Sequence, residues 1–407
     1  MSRKSDGGTA AEVRAGDVIA FRLGAHNLVT RRPADDLLEA AGACGVQNSP
    51  PGSALLALHA RVEDVTRDRF DRLVGEEKSL LQSWCMRGAP FFFPAADAPV
   101  FTTGVLPPTE DGRLHLINGV EQALDDLGMG LDEAVGRTAG EIEAVLSGRR
   151  LAIGELGREL AERVAAGLTP AQRETWRAAG PYGANIPVGE AVAHFCVRML
   201  TLGGTVCFAP RSGNKAPFVL LEEWLGRPPP RDDPRDARAA LLRRYLHCYG
   251  PSTREGFAGW LGVRAGDVGP WWSALEDELT PVGFAGGRAW ILTGDLDALK
   301  SAPEPRGVRL LPPSDPYTQL RDRDTIVERK HHRAVWKATG TPGTVLADGR
   351  IAGTWRPRKS GRKLVLKVET FGALTAKPRE RLCEEAERIA ALRGASTAQV
   401  EFGDAAR

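Results

Sequence analysis

The spacing of apolar residues predicts short helices interrupted by pairs of short strands. A strand-like run (VIAFRL) covers residues 18–23, and a helix is expected to open near Asp35. Two further helices are predicted over SALLALHARV at 53–62 and FDRLVGEEKSLLQSWCM at 70–86. A proline-broken strand and loop (APFFFPAADAPVF) follows, and residues 115–178 contain four more helical runs. This order of elements predicts a mixed α+β protein.

One order of elements then occurs twice. The helical run VGEAVAHFCVRMLTLGG precedes two apolar strands joined around RSGNK, and three short helical runs precede the strand pair TPVGFA and RAWILT. A hairpin after helices is typical of a winged helix. Ser252 or Thr253 is expected to cap the helix that carries Phe257 and Trp260, and the next run, DVGPWWSALEDEL, is the expected recognition helix. The pattern fits DNA binding and a winged helix used only for protein contacts equally well.

The C-terminal part is rich in predicted strands. GTVLADGRIAGTWRPR and KLVLKVETF contain or flank the hairpin turns ADGR and SGRK, and the amphipathic helix PRERLCEEAERIAALRG closes the region. These runs predict a small β-barrel or sheet. The predicted division is a disordered lead-in at 1–15, a winged-helix-like region at 16–115, a helical region with a second winged helix at 116–230, a third winged helix at 236–296, and the barrel with its helix at 305–400.

Composition excludes several classes of protein. The 407 residues contain no apolar run long enough for a membrane span, and the start MSRKSDGGTAAE lacks the apolar core of a secretory signal, so a cytoplasmic protein is expected. The cysteines, at 44, 85, 196, 207, 248 and 383, form no CxxC pair, and the histidines form no HxxxH or HExxH pattern. We therefore expect no disulfide framework, no protein metal site and no cofactor.

Basic residues are concentrated near the C-terminus. Residues 321–367 contain thirteen Lys or Arg and four acidic residues, a net charge of +9 in a chain whose total is +2. Such a segment is typical of a phosphate-facing surface, although a solvated basic face without a partner has the same composition. The predicted DNA contacts, mostly at hairpin turns, are Arg87, Arg211, Lys215, Arg333, Arg356, Lys359 and Arg362. A structural ion pair is the alternative for Arg87, and Trp355 fits a core position or a stacking surface.

Three runs resemble a known family. They are SWCMRGAPFFF, YLHCYGPSTREGFAGWLG, and the stretch from LLPPSDPY through DGRIAGTWRPR to VETFGAL. Together they resemble the AlkZ/YcaQ-type winged-helix DNA glycosylases over about residues 17–375. The resemblance implies three winged-helix motifs around a concave basic channel, with a C-terminal barrel. It also implies a monofunctional glycosylase that releases bulky, cationic alkylated purines, interstrand crosslinks included, and that in some members protects an antibiotic producer.

The family's active-site motif is Gln-apolar-Gln or Gln-apolar-Asp after a Gly-Leu-like pair. The matching residues here are Gly45, Val46, Gln47, Asn48 and Ser49. Gln47 is retained, whereas Asn48 replaces the apolar residue and Ser49 replaces the last Gln or Asp. The resemblance makes these three residues the candidate catalytic group. From residue type alone, Gln47 could instead bond to nearby backbone, and Ser49 could cap a helix.

The chemistry of the substrate limits what such residues must do. A purine alkylated at N7 or N3 is already cationic and leaves readily, so the enzyme needs to orient water and stabilise an oxocarbenium-like sugar. Gln47 could hold that water through its carbonyl oxygen, whereas Ser49 is no general base. We therefore predict activity confined to cationic lesions, with uracil ignored. Full flipping of a bulky adduct is improbable, so an open channel along the duplex is predicted.

The sequence thus predicts a monomeric DNA glycosylase acting on double-stranded DNA that carries alkylated purines, with antibiotic self-resistance as a suggested role. One alternative is a non-catalytic winged-helix protein that binds DNA or a DNA-bound adduct, which the altered Gln47-Asn48-Ser49 triplet favours. Another is a transcriptional regulator, which would need an operator and usually a two-fold dimer; the sequence offers no obvious dimer helix.

Overall fold

The computed structural model describes residues 11–180 and 186–404. Its helices are α1 (Ala15–Ala25), α2 (Leu37–Gly42), α3 (Ser53–His59), α4 (Arg67–Gly75), α5 (Ala98–Phe101), α6 (Glu110–Ile117), α7 (Glu121–Leu127), α8 (Leu131–Leu146), α9 (Ile153–Ala166), α10 (Pro170–Arg177), α11 (Val188–Leu202), α12 (Leu221–Leu225), α13 (Pro234–Tyr249), α14 (Arg254–Leu261), α15 (Gly269–Ser273), α16 (Leu296–Ser301), α17 (His332–Val335) and α18 (Ala376–Leu392). Its strands are β1 (Val46–Gln47), β2 (Leu80–Trp84), β3 (Pro90–Pro94), β4 (Val206–Phe208), β5 (Phe218–Leu220), β6 (Leu279–Phe284), β7 (Gly287–Leu292), β8 (Val308–Leu311), β9 (Gly343–Ala347), β10 (Arg350–Ser360), β11 (Lys363–Thr370) and β12 (Thr397–Asp404).

Two predicted elements have the wrong type. Residues 18–23, predicted as a strand, lie in α1, and all six are buried. A helix buried on every side has no polar face, so its apolar run looks like a buried strand. The predicted helix at 70–86 ends at Gly75, and Leu80–Trp84 form β2 instead. The strand is also buried along most of its length, which hides the change of period.

The predicted recognition helix at 267–279 is also wrong. The segment contains only the five-residue α15, with 3-10 turns on either side. Trp271 and Trp272 are buried in the core and do not form an exposed recognition face. The preceding helix, α14, is capped as expected, because the Thr253 hydroxyl accepts a hydrogen bond from the Gly256 amide at 3.1 Å.

Two hairpins, of which only β4–β5 was predicted, share one sheet. Strands β1–β5 form a five-stranded sheet in the order β1-β3-β2-β4-β5. The hairpin β2–β3 joins the hairpin β4–β5 through the pairing of Gln82 with Phe208. The third hairpin, β6–β7, forms a sheet of its own. Helices precede β4–β5 and β6–β7 as predicted, but the assignment of three winged helices stays a prediction.

Residues 11–15, predicted as part of a disordered lead-in, are ordered. The predicted disordered lead-in covers residues 1–15, of which 1–10 lie outside the described residues. Residues 11–13 run along β6, where the Val13 amide donates to the Gly283 carbonyl at 2.9 Å. Helix α1 then packs Val18 and Phe21 against the β6–β7 hairpin and α16. The start of the chain therefore packs with the region predicted to be the third winged helix.

The C-terminal region contains a five-stranded sheet in the order β12-β11-β10-β9-β8. Neighbouring strands are antiparallel except β11 and β12, which are parallel and are separated in the sequence by α18. The described residues show no pairing between the outer strands β8 and β12, so this is an open sheet rather than a closed barrel. The turns ADGR and SGRK lie at the β9–β10 and β10–β11 hairpins as predicted. Strand β12 was not predicted from the sequence.

The cores cross the predicted domain boundaries. Side chains of α2, α3 and α4 pack in one cluster with β8, β9, β11 and α18. Two ion pairs join the same parts of the chain: Arg61 with Asp315 at 2.7 Å, and Arg31 with Glu385 at 2.7 Å, all four side chains being buried. The N-terminal and C-terminal regions therefore form one unit. No helix in the described part of the chain is both long and apolar enough to cross a membrane.

Candidate active site

Gln47 lies at the edge of a cavity between the first sheet and the C-terminal region. It ends β1 and pairs with Phe91 of β3, which fixes its backbone against a buried strand. Its half-buried side chain borders a cavity of about 450 Å³. The polar and aromatic side chains around this cavity, which we call the Gln47 cavity, include Gln47, Arg87, Gln319, Arg321, Arg323, Trp336 and Lys337.

Two side chains hold the Gln47 carboxamide. Its Oε1 accepts hydrogen bonds from Gln319 Nε2 at 2.9 Å and from Arg87 at 3.3 Å. Arg87 also donates to Gln319 Oε1, which closes a triangle of the three side chains. A guanidinium only donates, so both amide oxygens must face it, and this fixes the orientation of both carboxamides. The Gln47 Nε2 group makes no hydrogen bond to any residue that the structure describes, and is available to a ligand.

Arg87 is positioned by a tight turn between β2 and β3. It lies in the 3-10 turn Met86–Gly88 with a φ of 56°, in the left-handed region. Its backbone lies against Gly262 at the end of α14, where a Cβ would come within 3.1 Å of the Arg87 N and Cα atoms. The Arg87 guanidinium donates to the Trp260 carbonyl as well. A non-glycine residue in this conformation is held by its surroundings, here by the packing of the turn on α14.

Gln319 is positioned by a short helix and a buried carboxylate. It ends the 3-10 helix Pro316–Gln319, whose first amide, that of Tyr317, donates to Asp315. Asp315 is fully buried and binds Arg61 through both carboxylate oxygens, at 2.7 and 2.8 Å. Gln319 Nε2 also donates to the Ser314 carbonyl at 2.8 Å. Gln319 is therefore held on a rigid turn.

The Gln47 cavity is strongly cationic. Its lining includes Arg87, Arg321, Arg323 and Lys337 and no Asp, Glu or His. Burial, with the Arg321 guanidinium next in effect, lowers the pKa of Arg87 to about 10. Burial also lowers the pKa of Arg321, and the neighbouring Arg323 guanidinium is the second cause. Because the cations repel each other without an acidic partner in the lining, the site favours an anion such as a phosphate.

An aromatic side chain forms one wall of this cavity. The Trp336 indole nitrogen donates to the Thr318 carbonyl at 2.9 Å, and the Arg323 guanidinium lies 4.5 Å from the centre of the ring. This cation–π contact fixes the face of the ring beside the basic side chains.

Asn48 and Ser49 do not line the Gln47 cavity. The buried Asn48 side chain accepts hydrogen bonds from the amides of Gly52 at 2.8 Å and Ala54 at 3.4 Å, and so caps α3. Ser49 is exposed. Helix α3 begins at Ser53, and the residue before it is Gly52, so Ser49 does not cap this helix. Of the triplet, only Gln47 therefore faces the candidate site.

We expect Asn48→Ala to reduce stability without affecting catalysis. Loss of the cap should lower the free energy of unfolding by about 1 kcal/mol, because the amides at the start of α3 lose their acceptor. Urea unfolding measures the first effect and single-turnover base release the second. If the fully folded variant released the base more than about 10-fold more slowly than wild type, Asn48 would belong to the catalytic group after all.

The predicted DNA contacts occupy several surfaces. Arg87 lies in the Gln47 cavity and has no acidic partner among the described residues, so the ion-pair alternative for it is wrong. Arg211 and Lys215 lie on the exposed β4–β5 loop, where Lys215 pairs with Glu155 at 3.1 Å. Arg333, Arg356, Lys359 and Arg362 are exposed residues of the C-terminal region. The Arg356 guanidinium donates to the Gly340 carbonyl at 2.6 Å, close to the loop that lines the cavity.

Sequence reasoning missed most of the cavity lining. Arg321, Arg323 and Lys337 belong to the basic segment but were not singled out, and Gln319 follows the quoted run LLPPSDPY by two residues. Trp355, for which core and stacking positions were both open, is in the core: it is 1% exposed and its indole donates to the Leu311 carbonyl at 2.9 Å. The aromatic residue that lines the Gln47 cavity is Trp336 instead.

Comparison with known proteins decides the family. The family model for AlkZ-like DNA glycosylases matches residues 40–392. The chain belongs to the AlkZ-like DNA glycosylase family. It is thus an enzyme of the DNA glycosylase class, as the resemblance implied.

A curated sequence and a solved structure, both from Streptomyces sahachiroi, illustrate the relationship. An interstrand DNA cross-link repair glycosylase is 26% identical over 340 residues, which cover 77% of this chain and 79% of that protein. The structure of the DNA glycosylase AlkZ superposes with a TM-score of 0.75 at 23% identity, over 96% of this chain and 100% of that one. The AlkZ-like fold therefore extends over nearly the whole chain.

Proposed function

We propose that this AlkZ-like glycosylase hydrolyses the N-glycosidic bond of cationic N7- or N3-alkylated purines, bulky adducts included. The observation that carries the proposal is the Gln47 cavity, where an oriented carboxamide lies among four cationic side chains with no carboxylate or histidine in the lining. Such a site has no carboxylic acid or imidazolium to protonate a neutral base. It suits a base that is already a good leaving group.

In the proposed reaction, Gln47 holds the attacking water. Its Oε1 already accepts two hydrogen bonds, so the group that remains to bind water is Nε2, not the carbonyl oxygen considered from the sequence. A water that accepts from Nε2 keeps a lone pair free for C1′ of the deoxyribose. The bond between C1′ and the purine nitrogen breaks with its electron pair going to the cationic base, which leaves neutral. The water oxygen bonds to C1′ and its proton passes to solvent, which leaves an abasic site.

The cations of the cavity have a separate role in this proposal. Arg321, Arg323 and Lys337 would bind phosphates on either side of the modified nucleotide, which relieves their mutual repulsion. These contacts place the sugar without depending on the size of the substituent on the base. Arg356, Lys359 and Arg362, along the β10–β11 hairpin, would extend the contact along the duplex. Arg211, Lys215 and Arg333 are further proposed phosphate contacts.

Two observations support the proposal that bulky adducts are substrates. The name of the related protein from Streptomyces sahachiroi states a role in interstrand cross-link repair. The Gln47 cavity, at about 450 Å³, is bordered by surface residues such as Lys337 and Arg321 and so opens to solvent. We propose the same substrate class here, with self-resistance to a DNA-alkylating natural product as its biological setting.

A substrate panel tests this function. The wild-type protein should release N7-methylguanine and a bulky N7-guanine adduct from duplex DNA under single-turnover conditions, and should leave uracil in place, because uracil needs protonation or strong stabilisation as it leaves. Alkali cleavage of the product reveals abasic sites. Tight binding to both alkylated duplexes without base release would support the non-catalytic, adduct-binding alternative. Clean uracil release would disprove the restriction to cationic bases.

The pH dependence provides an independent check. With no carboxylate or histidine in the lining, the enzymatic rate for N7-methylguanine should be flat between about pH 6 and pH 9. The pKa of Arg87, about 10, lies above this range, so its guanidinium stays charged throughout. Rates should be corrected for uncatalysed loss of the base at each pH. A bell-shaped profile centred near neutrality would indicate a titrating acid or base that this site does not contain.

A further inference from the structure

Three distant residues meet in the core between α1, α2 and α13. His26 follows α1, Cys44 follows α2, and Cys248 lies in the last turn of α13. One imidazole nitrogen and the two sulfur atoms all lie within 4.8 Å of one another. The three side chains are buried, with exposed fractions of 1%, 5% and 0%. The sequence analysis predicted no metal site because no two of these residues are close in sequence.

The histidine is the unusual member of this cluster. Neither His26 Nδ1 nor His26 Nε2 has a hydrogen-bond partner among the described residues, although both are buried. The ring packs edge-on against Tyr249, 4.9 Å between centres, and against Tyr317 at 5.5 Å. An imidazole without partners in an apolar setting loses its hydration without compensation, which is costly unless something else binds it.

We propose that His26, Cys44 and Cys248 bind a thiophilic metal ion, Zn²⁺ being the ion of closest chemistry. Two thiolates neutralise a divalent cation, so the assembled site carries no net charge and tolerates burial. One imidazole nitrogen gains the partner that it otherwise lacks.

The donor set suits zinc in two further respects. Cysteine and histidine are the usual ligands of structural zinc sites, which have four ligands. The Tyr249 hydroxyl lies 3.8 Å from Cys44 Sγ, close to the separation of about 3.6 Å between an oxygen and a sulfur bound to one tetrahedral ion. Its proton is already directed to the Pro316 carbonyl at 2.8 Å, which leaves a lone pair for the metal. Tyr249 is thus the fourth donor.

The site lies close to the candidate active site. Cys44 is three residues before Gln47, and Gly45 between them has a φ of 72° and lies against Phe101 and Phe91. An ion bound to Cys44 would link the segment before β1 with helices α1 and α13. It would thereby hold the backbone that presents Gln47 without touching substrate.

Untagged full-length protein, stripped of metal and reduced, tests the proposal. One equivalent of Co²⁺ should produce a thiolate-to-cobalt charge-transfer band, and Zn²⁺ should abolish it while raising the melting temperature. Mass spectrometry should find one zinc per chain after expression with zinc. Cys248→Ser and His26→Gln should weaken zinc binding by at least about 100-fold, since each removes a ligand. Cys383→Ser, at an exposed cysteine outside the cluster, and Cys207→Ala, at a buried one, should leave it unchanged.

Other outcomes would overturn the proposal. One is the absence of a cobalt–thiolate band and of zinc competition against a chromogenic chelator in folded wild-type protein. Another is a band that survives Cys248→Ser, which would place the metal elsewhere. A third is mild oxidation that links the Cys44 and Cys248 peptides in protein that binds no metal, which would make the pair a disulfide. If a ligand variant fails to fold, the chelator competition on wild type still decides the matter.

Discussion

Gln47→Ala should lower the single-turnover rate of N7-methylguanine release by about 100- to 1,000-fold, the usual cost of losing one pre-organised polar contact to the reacting atoms. Binding of the same duplex should change little, because the cations that we assign to phosphate binding remain in place. Rates and affinities measured on one preparation separate the two effects. Ser49→Ala, a change at an exposed neighbour outside the cavity, is the matched control and should keep the wild-type rate.

A second variant at this position identifies the atom of Gln47 that matters. Gln47→Glu keeps an acceptor for Arg87 and Gln319 but replaces the Nε2 donor with an oxygen. If Nε2 holds the water, Gln47→Glu should be about as slow as Gln47→Ala. If Gln47→Glu retained or raised the rate, the group that acts would be an acceptor and our assignment of Nε2 would be wrong. Unchanged rates in both variants would remove Gln47 from the reaction.

Gln319→Leu tests the positioning of Gln47. Gln319 donates to Gln47 Oε1 at 2.9 Å, and its loss leaves Arg87 as the one hydrogen-bond partner of Gln47 among the described residues. The rate should fall less than in Gln47→Ala, and the two changes together should be less than multiplicative because they act through one group. These variants therefore distinguish a positioning residue from an independent one.

The sequence identified Gln47 and Arg87 because each lies in a short run that resembles a motif of the AlkZ-like family. It did not bring them together, since their contact depends on the turn between β2 and β3, and β2 was predicted to be the end of a helix. Gln319 and Trp336 were missed for a related reason. They reach the cavity through the packing of the C-terminal region on the N-terminal one, and residues 272 positions apart, such as Gln47 and Gln319, leave no local pattern.

Two of the errors in secondary structure have a common physical cause. Residues 18–23 and Leu80–Trp84 are buried on nearly all sides, so neither has the polar face on which the assignment of a period depends. Segments with a clear polar face were predicted correctly, α8 and α18 among them. The sequence predicted the hairpin turns well for a different reason: turns such as ADGR need a left-handed backbone, which few residues adopt.

The triplet shows how a motif misleads when it is transferred residue by residue. Asn48 and Ser49 occupy motif positions in the sequence, but the Asn48 side chain turns to the start of α3 and Ser49 points to solvent. Adjacent residues in an extended segment point to opposite sides, so Gln47 and its neighbour cannot both face one cavity. The second carboxamide that lines the cavity is instead that of Gln319, in the C-terminal region.

Asp315→Asn should destabilise the protein by about 3–5 kcal/mol, the largest effect that we expect from one substitution outside the hydrophobic core. Asp315 is fully buried and Arg61 is 3% exposed, so removing the carboxylate charge leaves a buried guanidinium without its counter-ion. The midpoint of urea unfolding should fall accordingly. Glu63→Gln is the matched control: it breaks the Glu63–Arg388 pair at 3.1 Å, which joins the same regions but is about half exposed, and should cost well under 1 kcal/mol.

The double variant Arg61→Met/Asp315→Leu distinguishes the charge from the packing. It removes both ions together, so no buried charge is left unpaired, and it should be more stable than Asp315→Asn alone. The double variant should nevertheless slow base release, because Asp315 also accepts from the Tyr317 amide and so fixes the turn that carries Gln319, and leucine has no acceptor. If Asp315→Asn were as stable as wild type, the Arg61–Asp315 pair would not hold the two regions together. If the double variant kept the full rate, the positioning of Gln319 would not depend on the carboxylate.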